Sequence, residues 1–169
     1  MDELLAACKY YYDKTGRRIS FEYTLIAGKN DSTDRALALA RTLNRHLRSR
    51  TETMPIHVNL IPVNEVTETG FVHSSPETVA AFAKTLEKHG IRATFNLNSG
   101  CWAKEGTVYP AGTIHRRLSA SAAAKIYANP NHEVAAHCLT HASLTELSPA
   151  EIAWEVLADR KNLEEMFGG

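Results

Sequence analysis

The apolar residues of this chain switch repeatedly between a spacing of two and a spacing of three to four, with no hairpin turn signal joining two strand-like stretches. Ile19, Phe21, Tyr23 and Leu25 alternate with Ser20, Glu22 and Thr24, as in a half-buried strand. AGKND breaks that run, and Ala36, Ala40, Leu43 and Leu47 then recur on one helix face. From Met54 to Val63 the alternation returns, with Ile56, Val58 and Leu60 opposite His57 and Asn59. Ser75-Pro76 supplies an N-cap and a first-turn proline to a helix that buries Val79, Phe82, Ala83 and Leu86 and ends at Gly90. Residues 91–98 read as a third strand and Ser99 to Leu118 as a long polar loop. Ser119 caps an alanine-rich helix to Ala128, and 133–136 is a short fourth strand. Ser148-Pro149-Ala150-Glu151 is a capping box that starts a last helix reaching about Met166.

Strands separated by helices run parallel with right-handed crossovers. With a helix over 2–14 in front, the order is α followed by βα four times. Glu22, Thr24, His57, Asn59, Asn96 and Asn98 share one parity of the first three strands, and apolar residues hold the other. A doubly wound sheet, covered on both faces, is apolar on both parities. The expected fold is therefore α/β: a TIM-barrel-like (β/α) half-barrel of four parallel strands with an extra N-terminal helix, as a single domain over residues 1–169.

Charge narrows the function classes. Nineteen basic and nineteen acidic residues cancel, so neither nucleic acid nor an anionic membrane is an expected partner. Met1-Asp2-Glu3 is acidic where a signal peptide is basic, and no apolar run approaches the ~18 residues of a membrane span. A cytoplasmic protein is expected. Cys8, Cys101 and Cys138 form no CxxC or CxxxCxxC cluster, so no iron–sulfur cluster is expected.

The stretch HEVAAHCLTHASL carries the clearest chemistry. His137 and His141 lie four apart after a short apolar run, as two ligands of one metal ion do. A catalytic zinc takes about three protein ligands, so a third is needed. Strand ends converge on one rim in (β/α) folds, which makes Glu22, His57, Asn59, Asn64, Glu65, Asn98 and His115 the candidates. The competing reading is a pair of solvated histidines that bind divalent metal weakly. Cys138, between them, is a further candidate ligand, although both it and Cys101 also read as ordinary small side chains. Trp102 and Tyr109 either line a sugar cleft or close the loop around them.

Two families are visible in these residues. Through ELLAACKYYYDKTGRRISFEYTLIAGKNDS, HVNLIPVNEV and SSPETVAAFAKTLEKHGI, residues 2 to 90 resemble the C-terminal part of the radical SAM methyltransferases that methylate adenine C2 in ribosomal and transfer RNA. That resemblance implies Asn64 as a cofactor-binding residue for S-adenosylmethionine, but the family's CxxxCxxC is absent. Through GIRATFNLNSG, YPAGTIHRRLS, HEVAAHCLTHASL and EIAWEVLADRKNLEEMFG, residues 91 to 169 resemble the N-terminal part of NodB-type polysaccharide deacetylases, which are metal-dependent amide hydrolases. This second resemblance implies His137 and His141 as metal ligands, zinc or another divalent ion as cofactor, and an N-acetyl sugar as ligand. The family's TFDDG motif, which supplies a base and a third ligand, is absent.

The seam falls within LEKHGIRATF. The expectation is an engineered or recombined chimera with no complete active site and no catalytic residue. The alternatives are a residual deacetylase acting through His137 and His141, or a remnant module for S-adenosylmethionine or RNA. Two edge strands left by a half-barrel invite a second copy, so a two-fold homodimer is expected.

Overall fold

A computed structural model describes residues 1–48, 54–63, 70–110, 113 and 116–168. Four strands form one sheet in the order β1-β2-β3-β4: Ser20–Leu25, His57–Pro62, Arg92–Leu97 and Glu133–Ala136. β1 pairs parallel with β2 in the register Ser20↔His57 to Leu25↔Pro62. β3 pairs parallel with β4 in the register Thr94↔Glu133 to Leu97↔Ala136. Among the described residues five α-helices accompany them, so the fold there is the expected open, parallel α/β arrangement and not a closed barrel. Among the described residues, no helix is long and apolar enough to cross a membrane.

The chain divides into two compact units, Met1–Ala93 and Thr94–Gly169. The division lies inside the stretch LEKHGIRATF.

In the first unit, α1 (Asp2–Thr15) stops at Gly16, whose φ of 64° turns the chain left-handed and lets its N–H reach Tyr12 O. Glycine takes that conformation without the Cβ penalty of other residues. α2 (Thr33–Leu47) starts at Ser32, whose hydroxyl accepts from the Arg35 N–H, and buries Ala36, Ala40, Leu43 and Leu47. α3 (Pro76–Glu87) starts the same way at Ser75 and buries Val79, Phe82, Ala83 and Leu86. These faces close over Leu25, Val58, Leu60 and Ile91, each at most 2% exposed. Burying one such side chain stabilises the fold by about 1.5–3 kcal/mol. Tyr23 stacks at a tilt on Phe82, with ring centroids 5.2 Å apart.

The AGKND break is a structured loop. Asn30 accepts from the Ile26 N–H at 2.8 Å and donates to Thr24 O at 2.8 Å. Asp31 accepts from the Gly28 N–H at 3.0 Å and the Ser74 hydroxyl at 2.8 Å. The turn from α3 into β3 is closed by Arg48, which donates to the carbonyls of His89 and Gly90.

In the second unit, β3 runs into a short 3-10 helix at Ser99–Cys101 and then a long loop. The Tyr109 hydroxyl accepts from the Arg117 N–H at 3.1 Å, and Glu105 accepts from the Ser121 N–H at 3.1 Å and its hydroxyl at 2.8 Å. Tyr109 therefore has its polar end committed to closing this loop. α4 (Ala120–Tyr127) is capped by Ser119, and α5 (Pro149–Phe167) by Ser148 with the full capping box. Phe95 packs against Tyr127 and His132, at centroid distances of 4.8 and 5.6 Å.

Element boundaries match the sequence expectation closely. The second strand is shorter than its apolar alternation: Met54 and Ile56 are buried, yet the paired segment begins only at His57. Side-chain burial continues there, and Ile56 O still accepts from the Arg92 N–H of β3 at 3.1 Å.

Candidate metal centre

β4 ends at Ala136, and the five residues that follow it hold both histidines. The segment is a loop, not a helix, although its histidines are four apart. It reverses through two residues in the left-handed region, Cys138 at φ 70° and His141 at φ 61°. Such a conformation costs a non-glycine residue about 1–3 kcal/mol and persists only where the surroundings over-determine it.

Those surroundings come from three directions. The His137 N–H donates to Leu97 O at 3.1 Å, continuing the β3–β4 ladder one residue past the strand. The Asn98 amide donates to the carbonyl oxygens of His137 and Cys138. Leu139 O accepts from the Gly100 N–H at 2.8 Å, while the Leu139 N–H donates to Glu155 O at 3.0 Å.

α5 supplies two carboxylates. Asp159, fully buried, accepts from the Ser99 N–H at 2.7 Å and the His137 N–H at 2.8 Å. Glu155, 7% exposed, accepts from the Thr140 hydroxyl at 2.7 Å and the Thr140 N–H at 2.8 Å. The Thr140 hydroxyl, and then its N–H, hold the Glu155 carboxyl below the ordinary carboxylate range.

Held in this way, the two imidazoles face each other with centroids 5.2 Å apart and planes at 43°. Two imidazoles sharing one tetrahedral zinc, each bound at about 2.0–2.1 Å, have ring centroids roughly 5 Å apart. The pair thus fits a two-point chelate of a divalent ion. It opens into a cleft of about 330 Å³ lined also by Ala136, Cys138, Ala142, Leu144 and Val156.

Among the described residues, no group of three or more His, Cys, Asp or Glu could hold a metal ion. Cys138 lines the cleft without completing such a group. Asn98 clamps the loop, its side-chain NH₂ donating to two of the loop's carbonyls. Glu22 and Asn59 lie on β1 and β2 of the first unit, and His57 there is buried at 5% exposure. Asn64, Glu65 and His115 lie outside the described residues.

Sequence reasoning missed Gly100, Glu155 and Asp159. A signal for the two acids was present: they occupy the 152, 155, 159, 163 row of α5, where the helical period calls for apolar residues.

Fold and site together define an α/β protein with two histidines on a loop at the end of a parallel strand. The chain belongs to the polysaccharide deacetylase family, whose profile matches residues 68–169. It is also similar to probable dual-specificity RNA methyltransferases RlmN. The protein from Clostridium perfringens is 43% identical over 100 residues, covering 59% of this chain and 26% of that protein. Those from Lysinibacillus sphaericus and Clostridium botulinum are 44% and 46% identical over the same length, covering 24% and 26% of those proteins. This chain thus spans about a quarter of the length of the curated relatives it matches. A solved radical SAM methyltransferase from Sphaerobacter thermophilus is similar at 43% identity and a TM-score of 0.49, over 57% of this chain and 26% of that one.

Both resemblances read from the sequence are therefore present. A 100-residue match cannot fit in the 67 residues before position 68, so the methyltransferase-like and deacetylase-like segments overlap.

Proposed function

We propose that this chain is a recombined (β/α) chimera in which His137 and His141 bind one divalent metal ion, and that the chain by itself does not complete a hydrolytic cycle. The observation that carries the metal reading is the pair of imidazoles at 5.2 Å, held on a loop fixed from three sides. Family membership supports a deacetylating hydrolase as the class of any residual activity, and we read that activity as hydrolysis of the amide of an N-acetyl sugar. A bound divalent ion supplies Lewis-acid polarisation of the carbonyl and a more acidic bound water. His137 and His141 would hold that ion at the cleft, and the chain would need a base beside it.

The described residues offer no free base at the cleft. Glu155 accepts two hydrogen bonds from Thr140, and Asp159 accepts two from backbone N–H groups. This supports a metal-binding relic over a working deacetylase. The reading as a remnant for S-adenosylmethionine or RNA rests on Asn64 and on the names of the methyltransferase relatives.

The test is metal content of tag-free protein by elemental mass spectrometry, beside His137→Ala, with acetate release from an N-acetylated oligosaccharide measured in parallel. The expected result is about one zinc or similar ion per chain, lost in the variant, with no acetate release. Metal at background in both proteins overturns the site. Acetate release that a chelator abolishes overturns the inactive reading.

A two-fold homodimer belongs to the same proposal. In the order β1-β2-β3-β4 the outer sides of β1 and β4 carry no partner strand among the described residues, and exposed strand edges are templates for association.

A further inference from the structure

α5 buries two carboxylates on one face. Glu155 and Asp159 are one turn apart, at 7% and 0% exposure, in line with the buried Leu163. Placing a carboxylate out of water is unfavourable unless hydrogen bonds replace its hydration. Each of these has that replacement, and in each case the donors belong to the histidine loop or the strand end beside it.

Asp159 bridges the points where the chain leaves β3 and β4, through the N–H groups of Ser99 and His137. It fixes the backbone of one histidine directly. Glu155 grips Thr140 by both hydroxyl and N–H, immediately before His141, and its carbonyl takes the Leu139 N–H. It fixes the backbone next to the other histidine. The left-handed Cys138 lies between these grips and the left-handed His141 directly follows the second, and their conformation relaxes if the grips are released.

Resting on the reading of His137 and His141 as a metal pair, we propose that Glu155 and Asp159 are positioning residues that hold the two imidazoles in the shared orientation a metal ion needs. Neither contacts the ion; both act through the loop backbone. Outer partners of this kind are worth about 10–100-fold in metal affinity.

The test uses the full chain and Zn²⁺, titrated against a chromophoric chelator, beside proton NMR of the metal-free protein. The variants are Asp159→Asn, which faces two N–H donors with one remaining acceptor, and Glu155→Leu, which removes both acceptors at similar volume. Glu155→Gln is the rescue variant: its amide oxygen accepts from the Thr140 N–H while its NH₂ donates to the Thr140 hydroxyl.

Zn²⁺ affinity is expected to fall about 10–100-fold in Asp159→Asn and Glu155→Leu. The contact between the His137 and His141 ring protons is expected to disappear from their spectra, with amide protection in β1 and β2 unchanged. Glu155→Gln is expected to restore both readings. Folded variants that keep wild-type affinity and the ring contact overturn the inference, as does a wild-type spectrum without that contact. If wild-type protein takes up no more Zn²⁺ than His137→Ala, the metal reading fails, and the ring contact still decides the positioning role. If Asp159→Asn does not fold, the two Glu155 variants decide it alone.

Discussion

Gly100 has no room for a side chain. A Cβ there would stand 2.6 Å from Leu139 O and 2.9 Å from Leu139 Cγ, against a carbonyl already engaged by the Gly100 N–H. Gly100→Ala must push the histidine loop away from the 3-10 turn, and overpacking of this sort costs about 1–3 kcal/mol. A lower urea midpoint at unchanged slope is expected, with weaker Zn²⁺ binding than wild type; wild-type values for both would show that the loop yields freely. Nothing near Gly100 in the sequence announces this requirement, because the atom it must avoid is 39 positions further on. The histidine pair was legible for a different reason than its spacing suggests. Four residues is one helical turn, but here the rings meet because Cys138 and His141 turn left-handed.

The last helix shows what local sequence can and cannot reveal about an element. Its start was readable from Ser148, Pro149 and Glu151, since all the atoms involved lie within one turn. Replacing Ser148 by alanine removes the hydroxyl that accepts from the Glu151 N–H and should lower stability by about 1 kcal/mol, measured as a shift in thermal midpoint. Glu151 should also make the cap sensitive to acid. The Ser148 hydroxyl, and then its N–H, hold the Glu151 carboxyl below its ordinary range. A depressed folded-state pKa adds stability above the unfolded glutamate value, about 4.3, and that stability is lost as pH falls through the folded value. The difference in urea midpoint between wild type and Glu151→Gln should be constant near neutrality and vanish in acid. A difference that persists at low pH would assign it to something other than charge. The inward row of the same helix was not legible, because Glu155 and Asp159 are buried for partners in a loop that precedes the helix in the chain.

At the scale of the molecule, the parallel α/β class followed from period alone: alternation of two against three to four, with no hairpin between. The division between Ala93 and Thr94 did not follow from it, since a contact boundary that cuts through β3 leaves the residue pattern continuous. The outer sides of β1 and β4, which have no partner strand among the described residues, make the homodimer testable by sedimentation over a range of concentrations. Dimer mass that dissociates on dilution is the expected outcome, and monomer mass at every concentration would remove the proposal. The supports of the histidine loop have a consequence for inheritance. Leu97, Asn98, Ser99, Gly100, Glu155 and Asp159 all belong to the second unit. A gene cut before codon 97 hands the loop on with all of these supports, whatever is joined in front of it. A cut between codons 100 and 137 would deliver the same two histidines to a loop severed from four of those six props. From codon 97 onward the two histidines and the supports of their loop are thus linked in inheritance.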